Sequence, residues 1–385
     1  MDDEVRLSVV VTSRNDGHGG ALLERFRTFA DALVAQAREC GLNGELVVVE
    51  WNPPDGPLLA DVLELRERWD GFPVRFIAVP GTFHEALPNA EAIPLFQMIA
   101  KNVGIRRARG RFVLATNPDL LFSSELVRFL ASAELDPGVM YRLDRTDVAA
   151  EVPEADLDQQ LAWCREHVLR VHTRWGTLPS LEVRVLARTF GRLARERLQG
   201  FAWDLRRSGK LGHGSSLSEP LRAASRWVLT LIQHFLGPLT SLLARTADAL
   251  RVLANPVPKV HTNGCGDFTL LSREAWHRLR GYAELPIWSM HLDSLLCYSA
   301  VAAGYTERVL RRPAAMYHLE HGRSWVALDA TERLRTFARK PWLDSDLLRT
   351  LWHEMFVHKE PVLYNDIDWG LGKQDLQETR GEGRG

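Results

Sequence analysis

The chain holds 385 residues, too many for one minimal domain and enough for one large domain with an insertion, or for two ordinary ones. Its 48 basic and 49 acidic residues leave a net charge of -1, which lacks the basic footprint of a nucleic-acid binder, so no nucleic-acid partner is expected. With 45% apolar and 25% charged residues it is a chain that can bury a core, which excludes disorder over most of its length and excludes collagen-like or coiled-coil repeats.

The opening MDDEVRLSVVV puts three acids where an export signal needs positive charge, so a cytoplasmic location is the expectation. Cys40, Cys164, Cys265 and Cys297 form no CxxC pair; neither a zinc ribbon nor a disulfide framework is written, and a reducing compartment fits. Residues 7–12, 45–51, 74–79 and 111–116 are short, nearly continuous apolar runs, as in strands buried on both faces of a parallel sheet. Between them lie helix-like segments at 21–40, with Leu22, Phe26, Phe29 and Leu33 at helical spacing, at 58–69 and at 93–109. This alternation predicts an α/β sandwich around a mainly parallel sheet, with its chemistry just after Thr12, Trp51, Val79 and Thr116, at the carboxyl ends of the strands.

Beyond residue 150 the pattern turns helical, at 157–170, 181–198 and 216–254. Residues 181–210 carry eight Arg or Lys against three acids on an amphipathic pattern, which reads either as the solvated face of a helical subdomain or as a surface for anionic lipid. The uncharged run 227–244 is short for a bilayer span and is broken by Gly237-Pro238, so it reads as buried or interfacial. After NPVPKV at 255–260 the mixed pattern returns, with strands at DFTLLS, TERVL and AAMYHLE and helices at EAWHRLRGY and LDSLLCYSAVAAGY, which would complete the first sheet. A helical stretch from 328 to 358 follows, and QETRGEGRG is expected to fray.

The most informative string is KNVGIRRARGRFVLATNPDLLFSSEL, residues 101–126, where Asn117, Pro118 and Asp119 stand at the carboxyl end of a buried strand. Two oxygen-bearing side chains flanking a rigid residue suit a ligand such as Mg2+ or Mn2+, which needs few protein carboxylates when phosphate oxygens complete its shell. The same three residue types also make ordinary turns.

In order along the chain, VVVTSRND, VVVEW, KNVGIRRARGRFVLATNPD and GCGDFTLLSREAW...GY...HLD...AGY resemble the family 2 glycosyltransferases and their relatives with the GT-A fold, over residues 5–145 and 259–325. The resemblance implies a GT-A type three-layer α/β sandwich with a helical insertion. Residues 1–149 would form the nucleotide-sugar half, 150–258 the insertion, 259–327 the acceptor half and 328–385 C-terminal helices and tail. It also implies transfer of a sugar from a nucleoside diphosphate donor to a saccharide or lipid-linked acceptor, with inversion. The insertion would cover the acceptor or touch a membrane surface at its inner, cytoplasmic face.

By the same resemblance Glu50 binds the base, Ser13 and Asn15 touch the nucleoside, and Lys101 with Asn102 lies by the diphosphate. Asp119 is a metal ligand, and the late string MYHLEH offers His318 and His321 as a third ligand, of which His318 is the choice. The family's metal motif is DxD, and here its first position is Asn117, which keeps a hydrogen-bonding amide for a ribose hydroxyl and adds no charge. Asp293 is the expected catalytic base, with His291 where the family has a glutamate; Asp293 also suits a helix N-cap. Asp267 would approach the donor sugar and Trp288 would stack on an acceptor ring. The two departures, Asn117 and His291, keep open a second class, a GT-A-like protein that binds a nucleotide or partner without catalysis.

Other motifs fall away on geometry. RNDGHGG at 14–20 lacks the GxGxxG register of a dinucleotide loop. The histidines of HEMFVH, five residues apart, stand roughly 140° from each other around a helix. A structural zinc site from His291, His318 and His321 stays open.

Overall fold

The structure, a computed structural model, describes residues 5–17, 20–63, 69, 72–179, 258–321, 335–336 and 338–381. The chain divides into two compact units, residues 1–180 with 260–385 and residues 181–259, and the elements named here belong to the first. The first part of the chain runs Leu7–Ser13 (β1), Leu22–Glu39 (α1), Gly44–Trp51 (β2), Leu59–Val62 (α2), Val74–Val79 (β3), Gly81–Glu85 (α3), Gln97–Arg107 (α4), Phe112–Thr116 (β4), Leu120–Phe122 (β5) and Ser124–Ala131 (α5). Val139–Leu143 (β6), Arg145–Val148 (β7), Leu157–Glu166 (α6), Val168–Thr173 (β8) and Gly176–Pro179 (β9) follow. The later part holds Phe268–Ser272 (β10), Arg273–Leu279 (α7), Leu292–Ala302 (α8), Thr306–Leu310 (β11), Met316–Leu319 (β12), Ser345–His358 (α9) and Gln377–Gly381 (β13).

The expected α/β architecture is present. One sheet of eight strands has the order β11-β6-β10-β4-β1-β2-β3-β13. Its centre, β3-β2-β1-β4, is parallel, while β10 and β13 run antiparallel to their neighbours. Successive side chains on a strand point to opposite faces, so an unbroken apolar run needs a cover on each side. Val9, Val11, Leu46 and Val48 share one apolar cluster with Phe26, Phe29 and Leu33 of α1. Val10, Val47 and Val49 meet α4 on the other face at Gly104, where a Cβ would lie 2.6 Å from Val10 Cγ1 and 3.0 Å from Val49 Cγ2. Only glycine lets the helix approach that closely.

A second sheet, β5-β12-β7-β8-β9, begins at the residue after Asp119. Its register aligns His318 with Asp147, Asp147 with Arg170, and Arg145 with His172, and directly paired residues share a face. Charge therefore gathers on one face. The other face carries Leu121, Val148, Tyr317 and Leu319, which pack with Leu161 and Cys164 of α6.

Two expectations are corrected. The predicted helix over 157–170 stops at Glu166, and Val168–Thr173 is a strand whose alternation serves the second sheet. The expected frayed tail instead pairs Gln377–Gly381 with β3, where Arg75 Nε and Nη2 donate to Glu378 at 2.8 and 3.0 Å. Of the helix expected over 58–69, Leu59–Val62 is described as helical, and residues 64–68 lie outside the described residues. The basic segment 181–210, the uncharged run 227–244 and the helices expected over 181–254 also lie outside them. Among the described residues no helix is long and apolar enough to cross a membrane.

Candidate functional site

Parallel pairing of β1 with β2 sets Ser13 level with Glu50, and pairing of β1 with β4 sets Val10 level with Ala115. The carboxyl end of β2, which carries Glu50, and the loops after β1 and β4, which carry Asn15 and Asp119, therefore lie at one rim of the sheet.

At that rim Asp119 meets two imidazoles, one within β12 at His318 and one just beyond it at His321. His318 Nε2 and His321 Nε2 each lie 3.6 Å from Asp119 Oδ2. The three side chains offer ligand atoms that all lie within 4.8 Å of one another. A separation of 3.6 Å is too long for a hydrogen bond and matches the edge between two atoms that share an ion at about 2.1 Å. Asp119 Oδ1 is buried with no hydrogen-bond partner, so the carboxylate retains an acceptor oxygen. These residues fit a divalent cation. Two imidazoles beside one carboxylate favour a first-row ion such as Mn2+ over Mg2+, which prefers oxygen ligands. His291 does not join them: its Nδ1 lies 2.8 Å from Leu343 O, and its ring packs against Trp342.

Electrostatics follow from this packing. Burial raises the Asp119 pKa, but His318 and His321 outweigh it and hold the carboxyl well below the usual range. Burial lowers His318, whereas Asp119 and Asp147 lift it on balance to about 9. A ligand imidazole must be neutral, so loading the site with a cation costs that proton. Asp147, fully buried on β7, lies 3.2 Å from His318 Nδ1 through Oδ1 and accepts from Arg170 Nε at 2.6 Å through Oδ2. His172 Nε2 lies 2.9 Å from the same Oδ2. Asp147 thereby orients His318 from behind.

Beside the cation group stands a second constellation. Asn117 Nδ2 donates to Asp267 Oδ1 at 2.6 Å, Arg145 Nη1 donates to Asp267 Oδ2 at 2.8 Å, and Gln97 Nε2 donates to Asn117 Oδ1 at 3.0 Å. The missing acid at 117 has a physical reason here. An aspartate would face Asp267 across 2.6 Å, whereas the amide donates to it. Lys101, fully buried, donates from Nζ to Gly266 O at 2.6 Å. Burial lowers its pKa to about 8 against the pull of Asp267, Asp293 and Asp119. Asp293 lies in the first turn of α8, and His291 occupies the N-cap position without a side-chain cap bond, so the N-cap alternative for Asp293 does not hold. Its Oδ1 accepts from Ser294 N at 2.8 Å, and its Oδ2 would lie 3.0 Å from a Cβ on residue 266, an approach that Gly266 permits.

The remaining expected residues divide. Glu50 is buried; Oε2 accepts from Leu59 N at 2.8 Å, and burial, only partly opposed by that bond, raises its carboxyl to about 7. Ser13 is buried at the end of β1, and Asn15 Nδ2 donates to Pro57 O at 3.1 Å, joining the loops after β1 and β2. Asn102 is corrected. Its Nδ2 donates to Tyr282 O and Glu284 Oε1 at 2.8 and 2.9 Å, and its Oδ1 accepts from Tyr282 N at 2.8 Å, so the amide holds the core and has no hydrogen left for a nucleotide. Trp288 donates its backbone N–H to Pro341 O, and Lys340 Nζ lies 5.9 Å from its ring centroid, so the 340–341 segment already meets the indole. Arg145, Asp147, Gln97 and His172 were not singled out in the sequence. The signal for Arg145, Asp147 and His172, alternation of charge along RLDRTDV and VLRVHT, becomes legible only once the strand register is known, and Gln97, at the start of α4, has no such signal.

No protein-family model matches the sequence, and no curated protein matches it. Among solved structures the chain is similar to the crystal structure of GalNAc-T7 with UDP, GalNAc and Mn2+, at 11% identity and a TM-score of 0.43, covering 97% of this chain and 54% of that one. The chain thus spans about half the length of that structure. It is also similar to the catalytic domain of Drosophila beta1,4galactosyltransferase 7 in complex with xylobiose, at 9% identity and a TM-score of 0.33, covering 89% of this chain and 83% of that one.

Proposed function

We propose that this chain is a glycosyltransferase of GT-A type that moves a sugar from a nucleoside diphosphate donor to a saccharide or lipid-linked acceptor, with inversion and with a bound divalent cation. The observation that carries the reading is the gathering of Asp119, His318 and His321 at the carboxyl rim of a parallel sheet, beside Asp293 and Asp267. In this reading Glu50 receives the base, and Ser13 and Asn15 line the nucleoside. Asp119, His318 and His321 hold Mn2+ or Mg2+, with Mn2+ favoured by the imidazoles. The cation, when bound, neutralises charge on the diphosphate and makes it a better leaving group.

The chain's own groups do the rest. Lys101 sets a positive charge beneath Gly266, close to where the diphosphate would lie. Asp267, fixed from both sides by Asn117 and Arg145, addresses the donor sugar. Asp293 takes the acceptor hydroxyl proton as the hydroxyl oxygen bonds to the anomeric carbon. The sugar–phosphate bond breaks on the opposite face, and its electron pair leaves with the diphosphate. Trp288 would flank the acceptor, and residues 150–258 would cover it or meet a membrane surface. Residues 1–149 then supply the donor side, 259–327 the acceptor side and 328–385 the closing tail, in a cytoplasmic protein.

The test is thermal. A nucleoside diphosphate is expected to raise the melting temperature more with Mn2+ than with a chelator, by linkage, and Asp119→Ala to abolish that Mn2+-dependent rise. No rise with any nucleoside diphosphate overturns the reading. Asp293→Asn should keep the rise and lose sugar transfer by 100-fold or more, as for removal of a general base, roughly 10²–10⁴. The second class, binding without catalysis, is favoured by His291, which stands in the glutamate position and is engaged with Leu343. It is distinguished by a thermal rise without transfer or hydrolysis of any donor.

A further inference from the structure

Strand pairing sets Phe268 opposite Thr116 and Ser272 opposite Phe112, so Ser272 stands at the amino end of β4 while Asp119 follows its carboxyl end. The five residues of β4 separate these two rims by about 16 Å. At the amino-end rim lies a cavity of about 660 Å³, whose lining includes Arg106, Arg111, Ser272, Arg273, Glu274 and His277. That volume suits a small ligand.

The arginines are set in place by backbone and ring contacts. Arg273 N donates to Arg111 O at 2.9 Å, which places the two residues side by side. Arg273 Nη1 donates to Arg109 O at 3.0 Å. Arg106 Nη1 donates to Ile367 O at 2.9 Å, and its guanidinium lies 5.2 Å from the Trp369 ring centroid, against which His277 also packs. Among the described residues no carboxylate forms an ion pair with Arg106, Arg111 or Arg273. Glu274 is the one acid in the lining. Burial and then the charges of Arg106 and Arg273 lower the His277 pKa, as a positive field requires. Burial and the charge of Arg111 act in the same direction on Arg6 next to it.

Three guanidinium groups line one concavity that holds a single carboxylate, with Glu284 acting on Arg106 from outside the lining, so positive charge exceeds negative there. The planar fork of arginine matches phosphate oxygens. We propose that this concavity is a second anion site, which takes a phosphate-bearing ligand at the rim opposite Asp119. This is independent of the sugar-transfer reading. The ligand chemistry is a phosphate ester or diphosphate group, carried by a soluble molecule or by a lipid headgroup.

The test uses the full chain in buffer with a chelator, so that the cation group of Asp119 takes no part. Inorganic pyrophosphate should raise the melting temperature of the unmodified protein and of Asp119→Ala alike, and the rise should vanish in Arg111→Ala/Arg273→Ala. Arg111→Gln, at an exposed position, guards against misfolding of the double variant and should weaken pyrophosphate binding at least threefold by calorimetry. Flotation with vesicles of phosphatidic acid, against phosphatidylcholine alone, separates the sources. Vesicle binding that the Arg variants lose assigns a lipid headgroup, and pyrophosphate binding without vesicle binding assigns a soluble ligand. No rise with pyrophosphate and no Arg-dependent vesicle binding, or a rise that survives the Arg variants, overturns the proposal.

Discussion

Burial lifts the Glu50 carboxyl from its ordinary 4.5 to about 7, and the Leu59 N–H opposes it only in part. The native state therefore holds a proton that the unfolded chain has released, and stability falls as pH rises from about 4.5 through 7. Glu50→Gln keeps an acceptor for Leu59 and removes the ionisable group. It should be more stable than the parent at pH 8, by at most about 3 kcal/mol for a full shift of this size, and equal to it near pH 4.5. Urea denaturation at the two pH values checks this. The apolar pattern of the sequence puts Glu50, Asp119 and His318 at or beside strands and Asp293 at the start of a helix, as the structure does, while the roles assigned to them rest on the family resemblance. Arg145 and Asp147 were not legible, because what gives them a role is pairing across strands. Asn102 misled for a related reason: at helical spacing beside Lys101 nothing in the string tells which of the two faces the core carbonyls at Tyr282.

Among the elements, α4 depends most on one small residue. Gly104→Ala would set a methyl 2.6 Å from Val10 Cγ1, and β1 and β2 are fixed on their far side by α1. The helix must lift, so a loss of about 1–3 kcal/mol is expected by denaturant titration. Because α4 also carries Gln97 and Lys101, nucleotide-linked stabilisation should weaken in the same variant. The strands of the main sheet were readable because burial on both faces writes an unbroken apolar run: the expected 7–12, 45–51, 74–79 and 111–116 correspond to Leu7–Ser13, Gly44–Trp51, Val74–Val79 and Phe112–Thr116. The second sheet was not. Its strands are short and its inner face is charged, so TDV and RVHT show alternation without the apolar density that marks a core strand. In Val168–Thr173 the first residues extended an amphipathic pattern already begun at Leu157, and helical periodicity absorbed the start of a strand.

For the molecule as a whole, the C-terminal strand closes an edge. Gln377–Gly381 covers β3, and Arg75 of that strand, almost fully buried, is held by Glu378 on one side and by Glu45 on the other. The Arg75 guanidinium in turn holds the Glu378 carboxyl down at about 2. Removing residues 377–385 should leave Arg75 short of one partner and expose a β edge. A loss of about 2 kcal/mol, a melting temperature lower by roughly 4 °C, and greater light scattering on heating are expected. The position of β10 has a longer reach. Phe268–Ser272 lies between β4 and β6 and bonds to both, so the strand Val139–Leu143 has no seat in the sheet until a segment made more than a hundred residues later arrives. During synthesis the first 150 residues therefore cannot finish as an autonomous body, and their apolar edge at Leu114 waits for chain that the ribosome has not yet delivered.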